Sequence, residues 1–302
     1  MNDELRRLKA GGQRSVAVSE ESLVLLRESV AASRSEVAPA TPVAVPLAVA
    51  SGAKPSFPPP PPATRPAAAP AGPAMPATPE IKLPDGDKQT RWNYLRDLVL
   101  NDATCLARVY AGKKVVFGVG DLNARIMFVG EAPGGDEEDQ GEPFVGRAGQ
   151  LLNKMIKAMG LERGQVYIGN ILNWRPEMPR NPDGSQTGNR PPTAQEMAYC
   201  LPFIRAQIAI IQPKVIVALG KTAVDGLLGA DRFKSMGAAR GDWHTYADTP
   251  LRASYHPSYL LRQEGLTSAS AKKIKRDAWE DMLAVMERAE VPVSEKQRNY
   301  FL

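Results

Sequence analysis

Beyond about residue 120 the chain alternates between two hydrophobic periods. Four short β-branched runs, ARIMFVG (124–130), VYIGNI (166–171), KVIVALG (214–220) and LRASY (251–255), read as strands. Their near-continuous apolar character is that of strands covered on both faces. Between them, GQLLNKMIKAMG (149–160), TAQEMAYCLPFIRAQIAII (193–211) and TAVDGLLG (222–229) carry apolar residues at helical spacing, and KKIKRDAWEDMLAVMERA (272–289) closes the pattern. Alternation of this kind predicts an α/β fold with three α/β/α layers around a central four-stranded parallel sheet. In such sheets the chemistry gathers in the loops beyond the carboxyl ends of the strands.

The first part of the chain has a different texture. Residues 37–80 hold 14 of the 27 prolines and 13 alanines, a composition that breaks helices and ladders and buries too little area to form a core. They read as a disordered linker, with residues 81–302 as one folded domain. Within residues 1–36, SEESLVLLRESVAASR (19–34) reads as one short helix capped by Ser19. It is either a helix with no partner or a docking segment for a protein partner.

Composition narrows the chemistry. Two cysteines cannot staple a small secreted domain, nor supply a four-thiolate zinc or iron–sulfur site from this chain alone. Two histidines, His244 and His256, exclude a His-rich metal enzyme. No apolar run reaches the length of a membrane span, and the charged start lacks the apolar core of a signal peptide, so a cytoplasmic monomer is expected. The formal net charge of +5 is too small to announce a nucleic-acid partner, but it permits one.

The loop after the first strand, GEAPGGDEEDQGEPFVGRAG (130–149), mixes glycines, acidic residues and a Phe before leading into a helix. Glycines let backbone amides approach a ligand closely. Neither nucleotide fingerprint is complete: no G-x-G-x-x-G follows this strand, and Gly220–Lys221–Thr222 has Val215 where a phosphate-binding loop needs glycine. The second strand ends in Asn170, and the fourth in YHPSYLLR (255–262). A Phe face, an Asn amide, a His and carboxylates at neighbouring strand ends describe a pocket for a planar heterocycle such as a nucleobase.

The segments GVGDLNARIMFVGEAPGGDEEDQGEPFVGRAGQLL, VYIGNI, KVIVALGKTA and YHPSYLLR resemble the uracil-DNA glycosylase superfamily, most closely its family 4 branch, from about Phe117 to Trp279. That resemblance implies a base-excision repair enzyme that flips uracil out of single- or double-stranded DNA and hydrolyses its N-glycosidic bond, with no cofactor needed for catalysis. It implies that Phe144 stacks on the base, that Asn170 bonds the N3–H and O4 edge, and that His256 stands at O2. Ala132 occupies the place of an aspartate base in another branch. Glu131 and Glu137 are then the candidates for orienting the water. Pro257 and Ser258 would grip a phosphate, Leu261 would wedge into the gap left by the base, and Arg262 would pair with phosphate. Each has a plainer rival: core for Phe144, a strand-end cap for Asn170, a solvated charge run for Glu137, a buried helix position for Leu261. Alternative functions are a non-catalytic DNA-binding adaptor, or a glycosylase for another deaminated base such as hypoxanthine.

The family 4 pattern also implies a [4Fe–4S] cluster on four cysteines. Here Trp174 stands in the segment Asn173–Trp174–Arg175–Pro176 where the resemblance places a ligand, leaving Cys200 and, in uncertain register, Cys105 as remnants. The expectation is that the cluster is lost and that Trp174 and its neighbours fill its volume. The long loop 175–192 offers Arg175, Arg180 and Arg190, either for DNA phosphates or as an idle insertion.

Overall fold

A computed structural model describes residues 75–182, 184–263 and 269–302. The helix expected at 19–34 and residues 37–74 of the expected linker lie outside the described residues. Six strands, β1 (Val119–Gly120), β2 (Ile126–Gly130), β3 (Tyr167–Asn170), β4 (Val215–Leu219), β5 (Trp243–Tyr246) and β6 (Thr249–Ser254), form one sheet in the order β1-β3-β2-β4-β6-β5. The central four, β3, β2, β4 and β6, are parallel, as the pattern predicts. Two short antiparallel edge strands, β1 and β5, extend it. Neither edge strand belongs to the buried apolar runs of the sequence: β1 has two residues, and none of the four residues of β5 is buried.

Ten helices surround the sheet among the described residues: α1 (Lys88–Leu100), α2 (Ala103–Ala107), α3 (Gly135–Gln140), α4 (Arg147–Ala158), α5 (Ala194–Ile211), α6 (Lys221–Leu228), α7 (Met236–Ala239), α8 (Pro257–Arg262), α9 (Ala269–Arg288) and α10 (Glu295–Arg298). Alternation along the buried strands builds the layers. Ile126, Phe128, Val215 and Val217 face one way, onto Leu152 and Ile156 of α4 and Met282 and Met286 of α9. Met127, Val129, Ile216 and Ala218 face the other way, onto Leu95 and Val99 of α1 and Phe203 and Ile204 of α5. Every strand residue of β2 and β4 is buried, which is why these runs show no polar alternation in the sequence. No described helix is long and apolar enough to cross a membrane.

The sequence reading did not include α1. Only Leu95 and Val99 of its 13 residues are buried, too narrow a stripe to read as a helix face. Its start is fixed instead by Asp87, whose side chain accepts from the Thr90 amide. Ile81, Leu83 and Met75 also pack against this side of the core.

Below the site, Asp281 of α9 is fully buried and takes Arg240 Nε at 2.7 Å and Arg252 Nε at 3.0 Å. This joins α9 to β6 and to the end of α7. Burial outweighs both guanidinium partners and raises the carboxyl pKa above its ordinary value. Removing one member of such a group strands the others in low dielectric. Asp281→Ala is expected to cost about 3–5 kcal/mol of stability, read from the midpoint of urea unfolding at unchanged slope.

Candidate active site

The strand ends converge as the topology requires. β2 ends at Gly130 and β3 at Asn170, paired in register, while β4 runs into Gly220 and β6 into Tyr255 and His256. Over them lies a cavity of about 810 Å³ lined by Glu131, Ala132, Glu137, Phe144, Asn170, His256, Ser258 and Arg262, among others. It brings together eight of the ten residues singled out as catalytic, base-binding or DNA-binding. Of the other two, Pro257 is buried as the first residue of α8, and half-buried Leu261 faces an adjoining groove of about 510 Å³ that also takes in Arg147, Ser258 and Arg262.

Gly130 makes the floor possible. A Cβ there would lie 2.4 Å from Asn170 Oδ1 and 2.4 Å from Phe144 Cζ, so a side chain at this strand end would expel both. Asn170 is 7% exposed, and its Oδ1 is buried without a hydrogen-bond partner among the described residues. An orphaned buried acceptor at a cavity wall is costly unless a ligand satisfies it.

Phe144 sits at φ 55°, in the left-handed region that a residue with a side chain rarely adopts. Two ionised groups hold it there. From one side Glu137 accepts from the amides of Val145 (2.9 Å) and Gly146 (2.8 Å) through Oε1, and from Gly134 (3.0 Å) through Oε2. From the other, Arg163 donates to the carbonyls of Pro143 (2.5 Å) and Phe144 (3.2 Å) and to Asn153 Oδ1 (3.1 Å). Burial lowers the Arg163 pKa from its ordinary value. Arg163 lies in the turn before β3, outside every motif, and only its charge next to a strand start could have drawn attention to it. Gly149 completes the bend, since a Cβ there would lie 1.9 Å from the Phe144 carbonyl oxygen.

The two candidate carboxylates thus differ in kind. Glu137 is 9% exposed with both oxygens committed to backbone amides, which makes it an anchor for the loop. Glu131 accepts from Thr222 Oγ1 through Oε2 at 2.5 Å, and its Oε1 has no protein partner among the described residues.

His256 is the N-cap of α8. Its Nδ1 accepts from the Ser258 amide at 3.2 Å and lies 2.9 Å from Ser258 Oγ. An Nδ1 that accepts an amide hydrogen leaves the ring proton on Nε2. Burial first, and the Arg262 charge second, lower the imidazole pKa to about 4. The ring is therefore a neutral Nε2–H donor at pH 7. Its centroid stands 5.6 Å from that of Phe144.

Of the three loop arginines offered for DNA phosphates, Arg175 and Arg190 are held by buried carboxylates within the protein, and Arg180 is exposed. Arg175 is spent on Glu138 (2.9 Å), Asn189 Oδ1 (2.8 Å) and the Gly188 carbonyl (2.8 Å). Arg190 forms a fork with Glu196 at 2.7 and 2.8 Å, and the Arg180 guanidinium lies 3.5 Å from the Tyr110 ring centroid. These inward bonds outcompete solvent because Glu138 and Glu196 are themselves buried. The loop is not idle either: Pro176, Asn189, Arg190 and Pro191 form one wall of the cavity.

Cys105 and Cys200 are both buried free thiols. A hydrogen bond between them and burial together raise the Cys105 pKa above its ordinary value. Trp174 is 1% exposed and packs against Tyr199, ring centroids 6.3 Å apart. No group of three or more His, Cys, Asp or Glu among the described residues could hold a metal ion. Two buried thiols do not fit an iron–sulfur cluster that needs four thiolates.

The model of the uracil DNA glycosylase superfamily matches residues 117–283. The chain belongs to that superfamily. Curated relatives include type-4 uracil-DNA glycosylases of Thermotoga maritima, 44% identical over 151 residues (49% of this chain, 72% of the relative), and of Pyrobaculum aerophilum, 34% identical over 186 residues (60% and 89%). A third, from Sulfurisphaera tokodaii, is 37% identical over 166 residues (53% and 71%). The chain is a uracil-DNA glycosylase relative of the type-4 kind.

If Glu137 anchors the glycosylase loop, Glu137→Ala releases three amides. Hydrogen exchange at Gly134, Val145 and Gly146 is expected to accelerate by about tenfold or more, while the amides of β2 and β4 keep their protection.

Proposed function

We propose that the protein is a DNA repair enzyme that flips uracil out of DNA and hydrolyses its N-glycosidic bond, leaving an abasic site. The observation that carries this is the buried, unpartnered Asn170 Oδ1 beside a Phe face and a neutral His donor. Uracil offers that oxygen its N3–H, and offers the amide of Asn170 its O4. Cytosine reverses both and would leave a buried acceptor facing an acceptor, which is how such a site rejects it. Phe144 stacks on the ring, and Ala132 leaves the floor of the pocket small.

As the C1′–N1 bond breaks, its electron pair moves onto the uracil ring and O2, and the sugar becomes oxocarbenium-like. His256 donates Nε2–H to O2 and stabilises the anion without giving up a proton at pH 7. Glu131, with one oxygen held and one open, orients the water that adds to C1′ and takes up its proton. The adjoining groove receives the DNA backbone. The Ser258 segment and Arg262 contact phosphate, Pro257 sets the helix start, and Leu261 enters the gap left by the flipped nucleotide.

The domain that does this spans residues 81–302, works as a monomer in the cytoplasm, and leaves residues 1–36 for a protein partner. The [4Fe–4S] cluster of the branch is lost, its volume taken by Trp174 and Tyr199. Iron analysis and absorbance of anaerobically purified protein test that loss: iron below a tenth of an equivalent (roughly, as for a site lacking ligands) is expected, and a stoichiometric brown chromophore overturns it.

The activity is tested with a uracil-containing oligonucleotide followed by alkali. Strand scission is expected, and none in either single- or double-stranded substrate overturns the proposal. His256→Ala and Asn170→Ala are each expected to lower kcat/KM by about two to three orders of magnitude. Because the folded imidazole pKa is lowered, protonation begins only as the pH nears 4. The pH profile of kcat/KM should therefore show no inflection at the ordinary imidazole value of 6.5.

A further inference from the structure

Gly220–Lys221–Thr222 at the end of β4 fails as a phosphate-binding loop, yet all three residues line the cavity and none has been given a role there. Its first and third residues nevertheless each meet a proposed site residue. Gly220 has φ 90°, and a Cβ there would stand 3.0 Å from His256 Cβ, so a side chain would press on the stem of the imidazole. Thr222 Oγ1 donates to Glu131 Oε2 at 2.5 Å, a contact across 91 residues of chain.

We propose that Thr222 is the positioning residue that sets which oxygen of Glu131 faces the water. This deepens the reading of Glu131 given above and rests on it. A glutamate at the lip of a cavity has three rotatable bonds, and a carboxylate with no fixed partner would sample several of them. Glu137 is held by three amides, but among the described residues Glu131 has one protein partner, the Thr222 hydroxyl. That hydroxyl is itself placed by the first turn of α6, whose Ala223 and Val224 are buried against the sheet, so the donor is as fixed as the core. One occupied oxygen fixes the rotamer, and the other, Oε1, is left as the acceptor for water. The threonine hydroxyl donates its one hydrogen to Glu131, and among the described residues no second donor bonds that carboxylate: Lys221 next to it is committed to Asp225 at 2.6 Å.

The test compares Thr222→Val, Thr222→Ser and Glu131→Gln with wild type in single- and multiple-turnover uracil release, with binding to product DNA bearing an abasic site measured alongside. Valine keeps the shape and removes the donor, while serine keeps the donor. Thr222→Val is expected to lower kcat about 10- to 100-fold with KM and product-DNA affinity within about twofold of wild type, as for a misoriented general base. Thr222→Ser is expected to stay within about threefold of wild type in kcat. If Glu131→Gln is impaired and Thr222→Val turns over like wild type, Thr222 does not position the carboxylate and the proposal falls while the Glu131 reading stands. If Glu131→Gln itself turns over like wild type, the reading of Glu131 falls and this proposal with it. Equal losses in the valine and serine variants would assign Thr222 to packing and overturn the positioning role. Thermal unfolding of each variant guards the comparison, and a valine variant that fails to fold leaves the serine variant to decide: a serine kcat near wild type supports the donor, and a loss beyond about tenfold overturns it.

Discussion

The site depends on an absence of bulk at the end of β2. Gly130 pairs with Asn170 across the parallel ladder, and the missing Cβ is the space in which the Asn170 carbonyl oxygen and the Phe144 ring edge meet. A parallel strand buried on both faces delivers its last residue to the sheet's carboxyl edge with little freedom to adjust. Gly220 plays the same part at the next strand, for His256. The two glycines therefore set how near a stacking ring, an amide and an imidazole can stand to one another, and the loops then have to reach that point. Reaching it forces Phe144 to φ 55°, a conformation that costs of order 1–3 kcal/mol. Arg163 and Glu137 offset that cost with charge-assisted bonds to four consecutive backbone positions.

Ionised side chains spent on backbone explain why the loop's acidic crowding looked ambiguous in the sequence. Of the run Asp136–Asp139, the inner pair Glu137 and Glu138 is buried and partnered while the outer pair Asp136 and Asp139 is exposed, so both readings of a charge run, solvated face and built site, hold within one run. Spacing alone cannot separate them, because a six-residue helix is too short to show a period. The four central strands and the helices at 149–160, 193–211, 222–229 and 272–289 were legible because burial on both faces and an apolar stripe leave periodic traces. Arg163, Thr222 and the walls supplied by Asn189 and Arg190 were not. They act through particular side-chain hydrogen bonds and through where a loop is folded, and neither leaves a period in the chain.

The electrostatics of the cavity favour charge made during reaction over charge present at rest. His256 is kept neutral by burial and by Arg262, and its proton is assigned to Nε2 by an amide that Nδ1 can accept from only while unprotonated. A donor that is neutral at rest attracts a substrate carbonyl modestly and an oxyanion strongly, which is the differential a leaving-group stabiliser needs. A permanent imidazolium in the same place would draw phosphate and carboxylate into the pocket instead.

The cavity wall formed by the 176–191 loop hangs on how residues 173–175 are held. Asn173 bonds Val116 through both its main chain and its side chain, Trp174 enters the core beside Tyr199, and Arg175 turns back to Glu138 and Asn189 at the cavity. Three successive residues thus point to the segment before β1, to the core and to the site. Tyr199 in turn bonds Asp102, which caps α2 and so places Cys105 beside α5. An indole and a phenol can do this by area: burying two large aromatic rings contributes about 3–6 kcal/mol at 25 cal/mol per Å², and the contact needs no ligand to be loaded first. With only two thiols available, holding the wall by hydrophobic burial couples the active site to the folding of the domain itself, since the same apolar side chains that close the core also aim Arg175 at the loop that carries Phe144.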